Sequence, residues 1–352
     1  MTRFLRPKVV MPILLSAALL AALLAVGNVG QVVALMLRFR HIYLPYILLL
    51  LLAYEVVQCM QWHVFLKALG IHVPLRSQAF AYLVGEPTRV LPIGNFFENY
   101  FLLRARGTDF GLSSAATILS VLTEVGVALL GLVILGLDHW GWLRPLIIIG
   151  LAVFVPSAWL VYKHHHAGTL PSWLTLHQSV RTALDEARQL RTGAAALLHP
   201  GVVARGGLLG ALYLVLAASV LFLVLRGLGV DDVSWWQVLA VYLFSLAFAL
   251  IFPLPVDVGV TELGGVGAFL AIGVLRSEAV SAVLLARVLS LGAAIVIALV
   301  TMAVMRDEVR ALLGSRARPA SPSPVAGLAG GMEAAGVPGY FDEDAEGATV
   351  QE

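Results

Sequence analysis

Charge is scarce in this sequence. Asp, Glu, Lys and Arg make up 12% of its 352 residues, about half the share of a soluble domain, which excludes a water-facing globular protein. The formal net charge of +2 excludes the strongly basic surface with which proteins track nucleic acid. Cysteine is scarcer still. Cys59 is the one thiol, set in an apolar run, so there is no disulfide framework and a thiolate metal site is disfavoured. The sequence holds no Gly-x-x-x-x-Gly-Lys loop, no Gly-x-Ser-x-Gly elbow and no His-Glu-x-x-His pair, the signatures of phosphate cradles, serine nucleophiles and zinc hydrolases. Nothing outside the apolar runs is long enough to fold as a catalytic domain. The expectation is therefore a protein without enzymatic activity, metal or cofactor.

What fills the chain instead is hydrocarbon. Hydrophobic residues make up 60% of it, and its mean hydropathy is +0.91. Such a composition reads as an all-α polytopic membrane protein, because a helix satisfies its own backbone in lipid. Runs long enough to cross about 30 Å of hydrocarbon fall near 9–31, 43–66, 112–136, 144–162, 204–225 and 279–304. The first follows Arg3, Arg6 and Lys8 and outruns a signal-peptide core, so it reads as an uncleaved span.

Two further apolar stretches are interrupted. One, 77–103, breaks at Pro92-Ile93-Gly94; the other, 235–275, breaks between Phe252 and Gly265. The second break holds Pro253, Pro255, Gly259, Gly264 and Gly265 together with the carboxylates Asp257 and Glu262. Proline removes a backbone donor and glycine relaxes the chain, so a continuous helix is not expected there. Orphaned backbone is costly in lipid, and such breaks are enclosed by protein or line a wet cavity. The arms on either side are mostly too short to span, which predicts two re-entrant or discontinuous hairpins beside six full spans.

Lysine and arginine set the orientation. With the N-terminus in the cytoplasm and each hairpin returning to its own side, Arg38, Arg40, Arg144, Arg226 and Arg276 lie outside, and Arg89 and Arg287 lie within membrane segments. All the other basic residues are then cytoplasmic. The halves 9–138 and 144–306 acquire opposite orientations, an inverted repeat of the kind transporters use. A faint echo accompanies it: each break reads Leu-Pro, then Gly, then Glu, at Leu91-Pro92, Gly94 and Glu98, and at Leu254-Pro255, Gly259 and Glu262. Together they form a membrane domain over 1–310. Between the halves, 164–203 carries Trp173, Leu176, Val180, Leu184, Ala187 and Leu190 with arginines on other faces, the pattern of an amphipathic connector on the cytoplasmic leaflet. From 315 to 352 the chain is rich in proline, glycine and small residues and reads as a disordered cytoplasmic tail.

Ionisable groups inside a membrane are costly and are default functional candidates. They are Glu55 on the second span, Arg89, Asn95 and Glu98 on the first broken stretch, Glu124 on the third span, Asp257, Thr261 and Glu262 on the second broken stretch, and Arg287 on the last span. Gln58 shares a helix face with Glu55, and Arg89 sits three residues after Glu86, within pairing range on a helix. For any one of them an internal bundle hydrogen bond explains as much as function does. Clustered on two breaks and two facing spans, they point to a site that replaces the hydration of a polar group.

These residues resemble a known family. Leu91-Pro92-Ile93-Gly94 to Glu98 with Leu102-Leu103-Arg104-Ala105-Arg106-Gly107, and Pro253 to Glu262 with Gly273-Val274 and Leu284-Leu285-Ala286-Arg287, are similar to the two signatures of the lysylphosphatidylglycerol synthase transmembrane (flippase-like) family. The resemblance covers about 10–305. It implies a bacterial or archaeal cytoplasmic (inner) membrane lipid transporter, flippase-like, with re-entrant helices at a central cavity, moving membrane lipids, anionic or lipid-linked, between leaflets. The sequence departs from the family at Val256-Asp257-Val258, at Gln61-Trp62 and at Arg89. The bifunctional synthases add an aminoacyl-transfer domain, for which this chain shows only the short tail. Two alternatives stay open: a non-transporting partner of a lipid- or envelope-synthesis enzyme, and an intramembrane enzyme using the carboxylates.

Overall fold

The computed structural model of the chain describes residues 21–90, 94–139, 199–251 and 259–314. The expected fourth span, most of the amphipathic connector, the central part of each break and the tail from 315 lie outside these residues.

Among the described residues every regular element is helical. Residues 21–27 form a helix that kinks at Asn28 (φ 59°) into α1, Val29–Leu37. The long helices are α2, Leu44–Ala68, and α5, Phe110–His139, with α6, Pro200–Leu228, and α9, Arg276–Val304. Pro45 and Pro200 open α2 and α6 at their first turns, where a missing N–H costs nothing. All four long helices meet the length and hydropathy needed to cross a membrane. Their outward faces are apolar: Leu48, Leu49 and Leu52 on α2, Ile118, Val121 and Leu122 on α5, and Val296, Leu299 and Val300 on α9 are exposed. So much contiguous exposed hydrocarbon is stable only against lipid.

Both interrupted stretches are divided near the expected positions, but the first helix already ends at Gly85, ahead of Pro92, and Gly264 and Gly265 lie inside the helix that follows the second break. The first comprises α3, Leu75–Gly85, a 3-10 turn Glu86–Val90, a second 3-10 turn Gly94–Phe96 and α4, Phe97–Arg106. The second comprises α7, Trp235–Ile251, and α8, Val260–Ala271. At about 1.5 Å per residue, α3, α4 and α8 reach roughly 15–18 Å, well short of a hydrocarbon core.

The arms fold back on each other. A Cβ on Gly85 would sit 3.0 Å from the Glu98 nitrogen, bringing the end of α3 onto the start of α4. A Cβ on Gly264 would sit 3.0 Å from the Phe248 side chain, pairing α8 with α7 in the same way. The first break closes through Thr88, whose hydroxyl stands between the Gly85 carbonyl at 2.5 Å and the Gly94 carbonyl at 3.1 Å, with one proton to offer the pair. Gly94 must be glycine there, because a Cβ would overlap the Thr88 carbonyl oxygen.

The polar ends of the bundle are distinct. Arg40 donates its backbone N–H to Gly227 O at 2.8 Å and its guanidinium faces Asp231, so the 38–43 and 226–234 connections share one end. At the other end of α2 lies a buried node. Arg106 Nε donates to Ser77 Oγ at 2.9 Å, Ser77 donates to Glu308 Oε1 at 3.0 Å, and Arg106 Nη2 pairs with Glu308 at 2.5 Å. Glu308 belongs to α10, Arg306–Gly314. The node fixes the start of α3 and the end of α4 at the same end of the molecule. Helix α9 runs from one end to the other. It packs against α3 and the Glu86–Val90 turn on one side and against α8 on the other.

Candidate functional site

The two broken stretches meet at one cavity of about 230 Å³. Its walls come from α2, the Glu86–Val90 turn, α6, α7, α8 and α9, and include Glu86, Arg89, Thr261, Glu262 and Arg287.

On the α8 side, Gly259 adopts φ 108°, open to glycine, and starts the helix. Glu262 stands in the first turn and reaches back: its Oε2 accepts the Gly259 N–H at 2.6 Å and the Thr261 hydroxyl at 2.9 Å. That is the acidic half of a capping box. Its Oε1 pairs with Arg287 Nε at 3.2 Å. A capping carboxylate thus fixes the arginine of the neighbouring helix.

On the first side, Arg89 pairs with Glu86 at 3.0 Å and with Glu98 at 3.6 Å. It also donates to Gln58 Oε1 and to the Tyr82 hydroxyl, both at 3.3 Å, and lies over the Tyr82 ring. The Glu86–Arg89 pair forms as the spacing predicts, but on a 3-10 turn rather than on a helical arm. Glu98 again stands in the first turn of the helix after a break, and its Oε1 accepts from Thr117 at 2.8 Å. Gln58 connects onward, receiving the Tyr82 hydroxyl at 2.6 Å and donating to Glu124 at 3.2 Å. Each break therefore presents an acid at a helix start, a hydroxyl donating to that acid and an arginine paired with it.

Of the residues picked out in the sequence, Arg89, Thr261, Glu262 and Arg287 face the cavity. Glu98 and Glu124 sit one contact behind it, through Arg89 and Gln58. Glu55 is 2% exposed, close to this cluster but off the cavity wall, and its Oε2 makes no hydrogen bond. The Asn95 backbone lies in the second 3-10 turn; its side chain, and Asp257 altogether, lie outside the described residues. Sequence reasoning passed over three tyrosines. Tyr54, Tyr213 and Tyr242 line the cavity; Tyr54 packs edge-on to Tyr213, whose hydroxyl lies 3.2 Å from that of Tyr242. Tyr54 was within reach, one turn before Gln58 on the same face. Tyr213 and Tyr242 carry no such signal. Among the described residues no cluster of His, Cys, Asp and Glu could hold a metal ion.

The model of the family described as the lysylphosphatidylglycerol synthase TM region matches residues 9–299. The chain belongs to this family. The match takes in both broken stretches and every residue named at the cavity. No curated protein sequence matches the chain significantly. The family is that of a membrane domain related to lipid synthesis or flippase function, with no soluble catalytic domain evident.

Proposed function

We propose that this protein binds the headgroup of an amphipathic lipid in the cavity between its two breaks and helps that lipid change leaflet. The observation that carries the reading is the meeting of two guanidinium–carboxylate pairs, one from each broken stretch, at one cavity whose other walls mix aliphatic side chains with tyrosine, serine and glutamine. A headgroup that leaves water needs its hydration replaced, while its acyl chains need only lipid. Polar groups at a break supply the first, and the apolar flanks of α6 and α9 supply the second.

In this reading the broken stretches are re-entrant hairpins entering from opposite leaflets, and the halves 9–138 and 144–306 form an inverted repeat. The protein sits in a bacterial or archaeal cytoplasmic membrane with both termini in the cytoplasm, and it does no covalent chemistry. The full candidate set of Glu55, Arg89, Asn95, Glu98, Glu124, Asp257, Thr261, Glu262 and Arg287 serves the headgroup directly or by holding the groups that do.

The test is leaflet exchange of a fluorescent phospholipid in proteoliposomes. Arg287→Ala and Glu262→Ala should each slow exchange at least tenfold without changing the protein's elution from a sizing column. Unaltered exchange in both folded variants would sink the site.

A further inference from the structure

The two ion pairs do not face the cavity evenly. The carboxylates are the more deeply buried partners, with the Glu98 and Glu262 side chains 2% and 4% exposed and Glu86, at the cavity wall, 12%. The guanidiniums are turned toward it, at 25% for Arg89 and 32% for Arg287. Glu262 has no acceptor to spare, since Oε1 serves Arg287 and Oε2 serves Gly259 and Thr261. Arg287, by contrast, spends only its Nε on a described residue. Among the described residues its planar Nη edge has no partner, and that fork matches two oxygens of one phosphate. Hydroxyls of Tyr213, Tyr242, Ser245 and Ser290 stand around the same space.

From this asymmetry we infer that the cavity is an anion site that reads a phosphate group through the outer edge of Arg287, with Arg89 as second cation. Glu262 and Glu98 are positioning residues, each holding one guanidinium in place. The inference rests on the lipid-handling reading and narrows its substrate to lipids whose headgroup carries net negative charge. A quaternary ammonium beside the phosphate would meet two guanidiniums, and the carboxylates that could welcome it are already engaged. A cavity of 230 Å³ is also below the several hundred Å³ of a drug-sized pocket, which suits a small headgroup and leaves the chains outside.

The experiment is calorimetric titration of the full-length protein in detergent with dihexanoyl phosphatidylglycerol, dihexanoyl phosphatidylcholine and inorganic phosphate. The anionic lipid should bind at least tenfold tighter than the choline lipid. Arg287→Gln should remove about tenfold or more of that affinity and weaken choline-lipid binding, whose phosphate it also meets, by less. Arg287→Lys, which keeps the charge but loses the fork, should fall between, and it answers the question if the glutamine variant folds poorly. Glu262→Gln should weaken anionic-lipid binding by a larger factor than choline-lipid binding, a selectivity that general loosening would not produce. Equal binding of the two lipids, or anionic-lipid affinity indifferent to both Arg287 variants, overturns the anion site while leaving lipid binding intact. Inorganic phosphate binding as tightly as the lipid, with the same arginine dependence, upholds the anion site and overturns the lipid as its source. No binding of any probe overturns both.

Discussion

The Gln58 amide accepts from Tyr82 and Arg89 and donates to Glu124, so a neutral side chain joins α2, α3, the Glu86–Val90 turn and α5. Gln58→Leu would remove three hydrogen bonds and leave the buried Tyr82 hydroxyl without its acceptor. At roughly 1–3 kcal/mol for an unsatisfied buried group, the thermal unfolding midpoint in detergent should fall measurably, and Gln58→Glu should restore part of it through Arg89. An unchanged midpoint in the leucine variant would mean water or lipid takes over the role. Reading the sequence found this helix face, because Glu55 and Gln58 share it at i, i+3 spacing. It could not tell the acid from the amide. Which of two polar neighbours becomes the hub depends on what arrives from α5 and from the turn after α3, and a linear pattern holds no trace of that. The arginines were legible for the opposite reason: a guanidinium among apolar residues is costly wherever it points.

At the scale of elements, each break is a local event that its own residues dictate, and the sequence shows both. Proline and glycine act on the backbone they belong to, so Pro92-Ile93-Gly94 and Phe252 to Gly265 mark the neighbourhood of helix ends without help from distant parts. The first break depends on Thr88 and Gly94. Thr88→Val removes the hydroxyl that lies between carbonyls on opposite sides of the break. Hydrogen exchange should then quicken in α4, by the equivalent of about 1–3 kcal/mol, with α2 unaffected; uniform protection across both helices would refute the role given to Thr88. The Arg106–Ser77–Glu308 node was not legible, since its partners lie up to 231 positions apart and each sits in an ordinary polar connection. Glu308→Ala leaves Arg106 without its carboxylate and should detach α10. Trypsin cleavage after Arg310 should then outpace that in the parent, and a cycle of single and double variants with Arg106→Ala should show coupling. Additive effects would mean that the pair does not bind α10 in place.

For the molecule as a whole, the two polar ends give the inferred orientation a direct check. Cys59 is buried at 4% exposure, so the parent protein should be silent to a membrane-impermeant maleimide. His72 and Asp232 are exposed at opposite ends of the bundle. In intact cells Asp232→Cys should be labelled, and His72→Cys only after permeabilisation; the reverse pattern would invert the topology. Fold class and family were legible at this scale because lipid imposes strict rules on composition and span length. The meeting of the two breaks at one cavity was expected from their shared polar residues, but the helix that touches both was not. That helix, α9, carries Arg287 at its middle, lies along the Glu86–Val90 turn and α8, and leads into α10 at the Arg106 node. If the protein moves lipids as proposed, this helix would serve as a rocker arm, since any displacement of its axis would reach both broken stretches at once.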